Sequence, residues 1–189
     1  MLLLAFGVLF TAVLHLVAAV PSLKQRIKDR VGARAYGPLF GVASIVGLVI
    51  IVIGWRSSDF VFVYDPPAWG RYANYALTLI AFVFLGIFLF RGSWRQTVRF
   101  PMAFAAIFWA TGHLLANGDL ASLILFGGFL AYAVLHLFIG TMNGVRPSPV
   151  VRDGHNLLSV LGGIALYGVM TQLHMVLIGV PVFQLPLPG

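Results

Sequence analysis

Four histidines lie one to each of four apolar segments: His15, His113, His136 and His174. An ionisable side chain inside a bilayer is costly and by default functional. Imidazole can ligate a transition metal or pass a proton near neutral pH. The chain has no cysteine and no glutamate, and its five acidic residues are Asp29, Asp59, Asp65, Asp119 and Asp153. Thiolate metal sites, iron–sulfur clusters, disulfides and covalent c-type haem attachment are thereby excluded. Three uses of the histidine set remain open: axial ligation of haem b, a proton path, and hydrogen bonding that holds helices together.

The densest stretch is Phe108-Trp-Ala-Thr-Gly-His113-Leu-Leu-Ala-Asn117-Gly118-Asp119. It places an imidazole in an apolar helix, closes that helix and opens another within three residues. Gly118 is predicted to take the left-handed conformation that ends a helix, and Asp119 to accept hydrogen bonds from the first N–H groups of the next. Asn117 reads first as cap chemistry, with a hydrogen bond toward a haem edge or an imidazole as the alternative.

The elements that must position these residues are membrane helices. Apolar residues make up 60% of the 189 positions and charged ones 9%, with a mean hydropathy of +0.99. Soluble domains carry roughly a quarter charged residues. The expected fold is an all-α integral membrane bundle of six spans in one domain, 1–189, with spans at about 1–20, 38–55, 72–90, 101–117, 120–140 and 156–180. The first span is read as an uncleaved helix, because its basic cluster follows the apolar run. Pro21 to Gly37 is predicted to hold a short amphipathic helix on an anionic leaflet, with Ser22 and Gln25 at capping-box spacing. Gly37, Gly41 and Gly47 would allow close helix approach, and the pairs Gly127-Gly128 and Gly162-Gly163 would form packing notches, either able to seat a flat macrocycle. Phe60 to Tyr64 reads as extended, Asp65-Pro-Pro67 as a turn, and Trp55, Tyr64, Trp69 and Tyr72 as an interfacial aromatic belt. A polar loop with Pro147 and Pro149 precedes the last span.

The net charge of +7 is explained by topology rather than nucleic acid. The first, third and fifth loops carry ten of the twelve Lys and Arg residues, while the second and fourth carry only Arg56 and Arg71. The positive-inside rule then puts both termini outside. At about 1.5 Å rise per residue, His15 and His136 fall in the inner half of the bilayer and His113 and His174 in the outer half. Same-depth pairing joins His15 to His136 and His113 to His174. A His15–His113 pair would be separated by roughly 15 Å along the membrane normal if the helices are straight.

Several runs carry a resemblance. A first-helix histidine is followed by Pro-Ser and a basic connector, then Arg-Phe-Pro-Met102, Trp109, His113-Leu-Leu-Ala-Asn-Gly-Asp119, Leu125-Phe-Gly-Gly-Phe-Leu130 and the late Leu-His174. Over nearly its whole length the chain resembles the NnrU family, named for a denitrification-associated membrane protein and related to 15-cis-zeta-carotene isomerase, a haem b enzyme. Phe100 stands where that family usually has histidine, and the charged run that commonly closes the fifth helix is replaced by His136-Leu-Phe-Ile-Gly140.

The resemblance implies a multi-pass protein of the bacterial inner membrane with haem b held by His15 and His113. His136 and His174 are the alternative ligands, and Asn117 lies beside the cofactor. It implies cis–trans isomerisation of a lipophilic polyene, with Phe104, Phe108, Trp109, Phe126 and Phe129 as lining. The alternative is a haem that meets nitric oxide or electrons and supports denitrification through respiratory membrane partners. A proton-coupled transporter is disfavoured by the scarcity of carboxylates.

Overall fold

The computed structural model describes residues 1–146 and 151–182; Pro147 and Pro149 of the polar loop lie outside them. The described residues form helices α1 (Leu2–Leu16), α2 (Pro21–Val31), α3 (Ala33–Arg56), α4 (Gly70–Phe90), α5 (Trp94–Thr97), α6 (Pro101–Ala116), α7 (Leu120–Met142) and α8 (His155–Ile178). Among these residues the extended pairing is one antiparallel bridge, Phe62 with Asp119.

Among the described residues four helices are long and apolar enough to cross a bilayer: α3 and α8 with 24 residues each, α4 with 21 and α7 with 23. Of the six expected spans, those at about 38–55, 72–90, 120–140 and 156–180 are found as single helices of spanning length. Helices α1 and α2 meet at 95° and supply a fifth span only if the bent pair is taken as one. Helix α6 has 16 residues, which at 1.5 Å each is about 24 Å, short of the ~30 Å hydrocarbon core.

The bend between α1 and α2 has a local cause. After a 3-10 turn over Val17–Ala19, Val20 is extended and Pro21 opens α2, a position where its missing N–H costs nothing. Helix α2 buries none of its residues, as an interfacial amphipathic helix should. The expected Ser22–Gln25 box is not made: Val20 is the N-cap, without a side-chain cap bond, and Gln25 instead donates to Asp29 at 2.8 Å.

Contacts at both ends show how the chain alternates. At one end Val63 and Tyr64 N–H donate to Gly118 O at 2.8 and 3.0 Å, and Arg56 donates to Val176 O at 3.2 Å. At the basic end Arg152 N–H donates to Arg91 O at 3.0 Å, His155 Nδ1 engages Phe90 O at 2.8 Å, and Arg99 Nε donates to Val145 O at 2.6 Å. Helix α4 packs on α6 and α8, α1 packs on α3 and α7, and α6 packs on α7. The core gathers Leu4 and Val8 of α1, Ile51 of α3, Ala110 of α6, and Ala121, Leu125 and Phe126 of α7.

Small residues set the close crossings. A Cβ on Gly54 would lie 2.5 Å from Leu4 N, and one on Gly47 2.5 Å from Thr11 Oγ1. Gly37 and Gly41, expected to do the same, have nothing within 4 Å. A Cβ on Gly128 would lie 2.5 Å from Val8, and Gly162 and Gly163 fit against Phe90 and Phe82. The exposed faces are apolar: Val42, Ile45, Val49 and Ile53 on α3, and Leu157, Leu161, Val169 and Val176 on α8. Such contiguous apolar surface is stable against lipid, with backbone polar groups satisfied inside each helix.

Candidate functional site

Helix α7 carries the site. It opens at Asp119, whose carboxylate accepts from Ser122 N–H at 2.9 Å and Ser122 Oγ at 2.6 Å, the cap expected from the sequence. It then widens to π-helical geometry over Leu123–Gly127 before resuming as an α-helix, a distortion that often marks functional positions. The expected role of Gly118 is corrected: its φ is not positive. It is required instead by close approach, because a Cβ there would lie 1.8 Å from Tyr64 O.

His113, one turn before the end of α6, stacks on Phe126 of α7 with ring centroids 4.4 Å apart and planes at 25°. Trp109, four residues earlier, touches His113 at 5.2 Å and meets Phe126 and Phe129 edge-on at 4.9 and 5.6 Å. Phe129 meets Tyr132 at 6.3 Å. Tyr132 in turn lies between two histidines, His15 at 6.1 Å and His136 at 5.8 Å. Phe40 closes on His15 at 5.1 Å, and Phe100 on His136 at 5.9 Å. The result is a continuous row of rings along α7.

The histidines thus fall into two groups. His15 and His136 share Tyr132, whereas His113 packs on Phe126. His15 and His113 attach to α7 at Tyr132 and Phe126, six residues or about 9 Å apart along a helix. Of the expected lining, Trp109 and Phe126 meet His113 and Phe129 bridges Trp109 to Tyr132, whereas Phe104 and Phe108 pack on Phe84 of α4, each at 5.5 Å.

The ring nitrogens are not used alike. His15 Nδ1 lies 2.9 Å from Thr11 O, His113 Nδ1 2.8 Å from Trp109 O, and His174 Nδ1 2.6 Å from Val180 O. A carbonyl can only accept, so in each case Nδ1 carries the proton and Nε2 is the free lone pair. That tautomer and orientation suit a metal-ligating imidazole. His136 Nδ1 is buried without a partner. The donor set therefore fits axial ligation of a haem. Among the described residues no group of three or more His, Cys, Asp or Glu side chains converges, so a protein-only metal cage is not what they build.

Asn117 is occupied by the helix end: its Nδ2 donates to His113 O at 2.8 Å. Tyr64, expected in the aromatic belt, donates its hydroxyl to Leu114 O, and lies 2.8 Å from Asn117 O. Trp55 also leaves the belt, packing on the core and meeting Phe126 at 6.1 Å; Trp69 and Tyr72 remain exposed as expected. Tyr132 was not singled out by sequence. Its signal was the spacing to His136, since residues i and i+4 share a helix face.

Apolar helices of spanning length, lipid-facing side chains and an aromatic row studded with oriented histidines define a multi-pass helical membrane protein. The family model described as NnrU protein matches residues 2–182. The chain belongs to the NnrU family. Among curated proteins and among solved structures, none matches it.

Proposed function

We propose that this is a haem b-binding protein of the bacterial inner membrane, with His113 and His15 as axial ligands, that isomerises a conjugated polyene. The observation that carries the reading is the Nδ1–H bond of each histidine to the carbonyl four residues earlier. It fixes the tautomer and frees Nε2 for iron. His113 and His15 would hold the haem, and the bound iron would supply electron density to a conjugated chain, lowering a double bond's rotation barrier. The chain's own part is to hold and seal. Phe126 and Trp109 restrain the His113 ring, Phe40 and Tyr132 restrain His15, and the row from Phe126 to Tyr132 offers an apolar, water-poor wall to a lipophilic substrate.

The test is the visible spectrum of detergent-purified protein, oxidised and dithionite-reduced, for wild type, His15→Ala, His113→Ala and His174→Ala. A Soret band with b-type reduced maxima, lost in the first two variants and kept in the third, is the expected result. Loss in His113→Ala and His174→Ala with retention in His15→Ala would replace the pair by His113–His174. A colourless wild type, with haem supplied during expression, would overturn the cofactor. Conversion of a cis-polyene by the haem-loaded protein is expected; a Soret shift with nitric oxide and no conversion would favour the gas-responsive role.

A further inference from the structure

At the basic end, the connector after α4, the first turn of α6 and the C-terminal part of α7 with the residues that follow it line a half-open cavity of about 120 Å³. Arg95, Arg99, Arg146 and His136 line it, with no carboxylate among the lining residues. The cations are not equivalent. Arg99 is engaged by the carbonyls that end α7, Val145 O at 2.6 Å and Gly140 O at 3.5 Å. Arg95 lies over the Phe88 ring at 5.0 Å, and its Nη1 is buried without a hydrogen-bond partner. His136 Nδ1, also among the lining, is likewise buried and unpartnered. Burial, with the Arg91 charge beside it, pulls the Arg95 guanidinium below its ordinary pKa, the direction expected of a cation lacking a counter-charge.

We propose that this cavity binds a phosphate-class anion, supplied by the headgroup of an acidic phospholipid. Two buried polar nitrogens without partners in the lining of one pocket are expensive unless a ligand engages them. A guanidinium presents paired N–H donors that match phosphate oxygens. The volume is well below the ~300 Å³ at which drug-sized ligands begin, so the cavity takes a charged headgroup and not a whole cofactor. Position favours lipid over free phosphate. Met102 on the cavity's rim is exposed on α6, so an acyl chain can continue along that apolar helix while the headgroup stays at the basic end, where Lys and Arg already attract anionic lipid. The site uses neither of the two histidines, His15 and His113, proposed to hold haem.

The test is binding to delipidated, detergent-purified protein, read by native mass spectrometry and by thermal unfolding. The probes are short-chain phosphatidylglycerol, short-chain phosphatidylcholine and inorganic phosphate. The expected result is a preference for phosphatidylglycerol over phosphatidylcholine that falls about tenfold in Arg95→Gln, the scale of one charge-assisted hydrogen bond. The preference is expected to survive in part in Arg95→Lys and in full in Arg30→Gln, which removes the same charge from exposed α2. Inorganic phosphate binding with the same Arg95 dependence, and no lipid preference, would keep the anion site and overturn the lipid source. Equal binding of both lipids with no phosphate effect, or a preference untouched by Arg95→Gln or lost equally in Arg30→Gln, would overturn the site.

Discussion

The Tyr64 hydroxyl bonds across to the end of α6, satisfying carbonyls that a helix terminus leaves without intrahelical partners. Tyr64→Phe removes that donor and is expected to cost about 1–3 kcal/mol, measured by thermal unfolding in detergent. Its pH dependence is distinctive. Burial first, and the negative charge of Asp119 second, raise the Tyr64 pKa above 10.0. The folded state thus holds the phenol proton more tightly than the unfolded one. The contribution is complete below the unfolded pKa and is lost as pH rises through the folded value. The stability gap between wild type and Tyr64→Phe should stay flat up to about pH 10 and then narrow; a gap unchanged at higher pH would count against the assignment. Sequence anticipated the neighbouring Asp119 cap, because capping is local, but not Tyr64, whose acceptors lie 50 residues away.

Among elements, the crossing of α4 with α8 depends on backbone-to-backbone proximity. A Cβ on Gly86 would lie 2.0 Å from Ser159 O, and one on Gly163 2.5 Å from Phe82 O. Gly86→Ala must separate the two helices, with an expected loss of about 1–3 kcal/mol in thermal unfolding. Gly41→Ala is the contrast. Nothing lies within 4 Å of that position, so the change is expected to be neutral or stabilising by about 0.5–1 kcal/mol through helix propensity. Similar losses in both variants would refute the distinction. At the start of α7, Asp119→Ala is expected to cost about 0.5–2 kcal/mol, since Ser122 N–H loses its acceptor.

For the whole molecule, ten of the twelve Lys and Arg residues lie in three stretches, 24–34, 91–99 and 146–152, and the last two are joined by the Arg152 N–H bond to Arg91 O. These stretches should face the cytoplasm. The chain has no cysteine, so single cysteines can be placed without background. Ser22→Cys, beside the first basic stretch, is expected to resist an impermeant maleimide added outside intact cells. Ser58→Cys, after α3, is expected to react. The reverse pattern would invert the orientation, and reaction at both would show that α3 does not cross.

What the sequence determined by itself was everything that depends on local composition and spacing. It specified the apolar helices, the separate short basic helix α2, the Asp119 cap and the extended stretch before Tyr64, because hydropathy, capping and helical rise act over a few residues. Tertiary structure decided which elements meet. It bent α1 against α2 and left α6 short, turned Gly118 from a left-handed cap into a point of backbone contact, and drew Trp55 and Tyr64 out of the belt. It also linked His15 and His136 through Tyr132, stacked His113 on Phe126, and brought Arg95 and His136 into the lining of one acid-free pocket. Those outcomes rest on packing between residues far apart in the chain, and no periodicity records which distant side chain will fill a given gap.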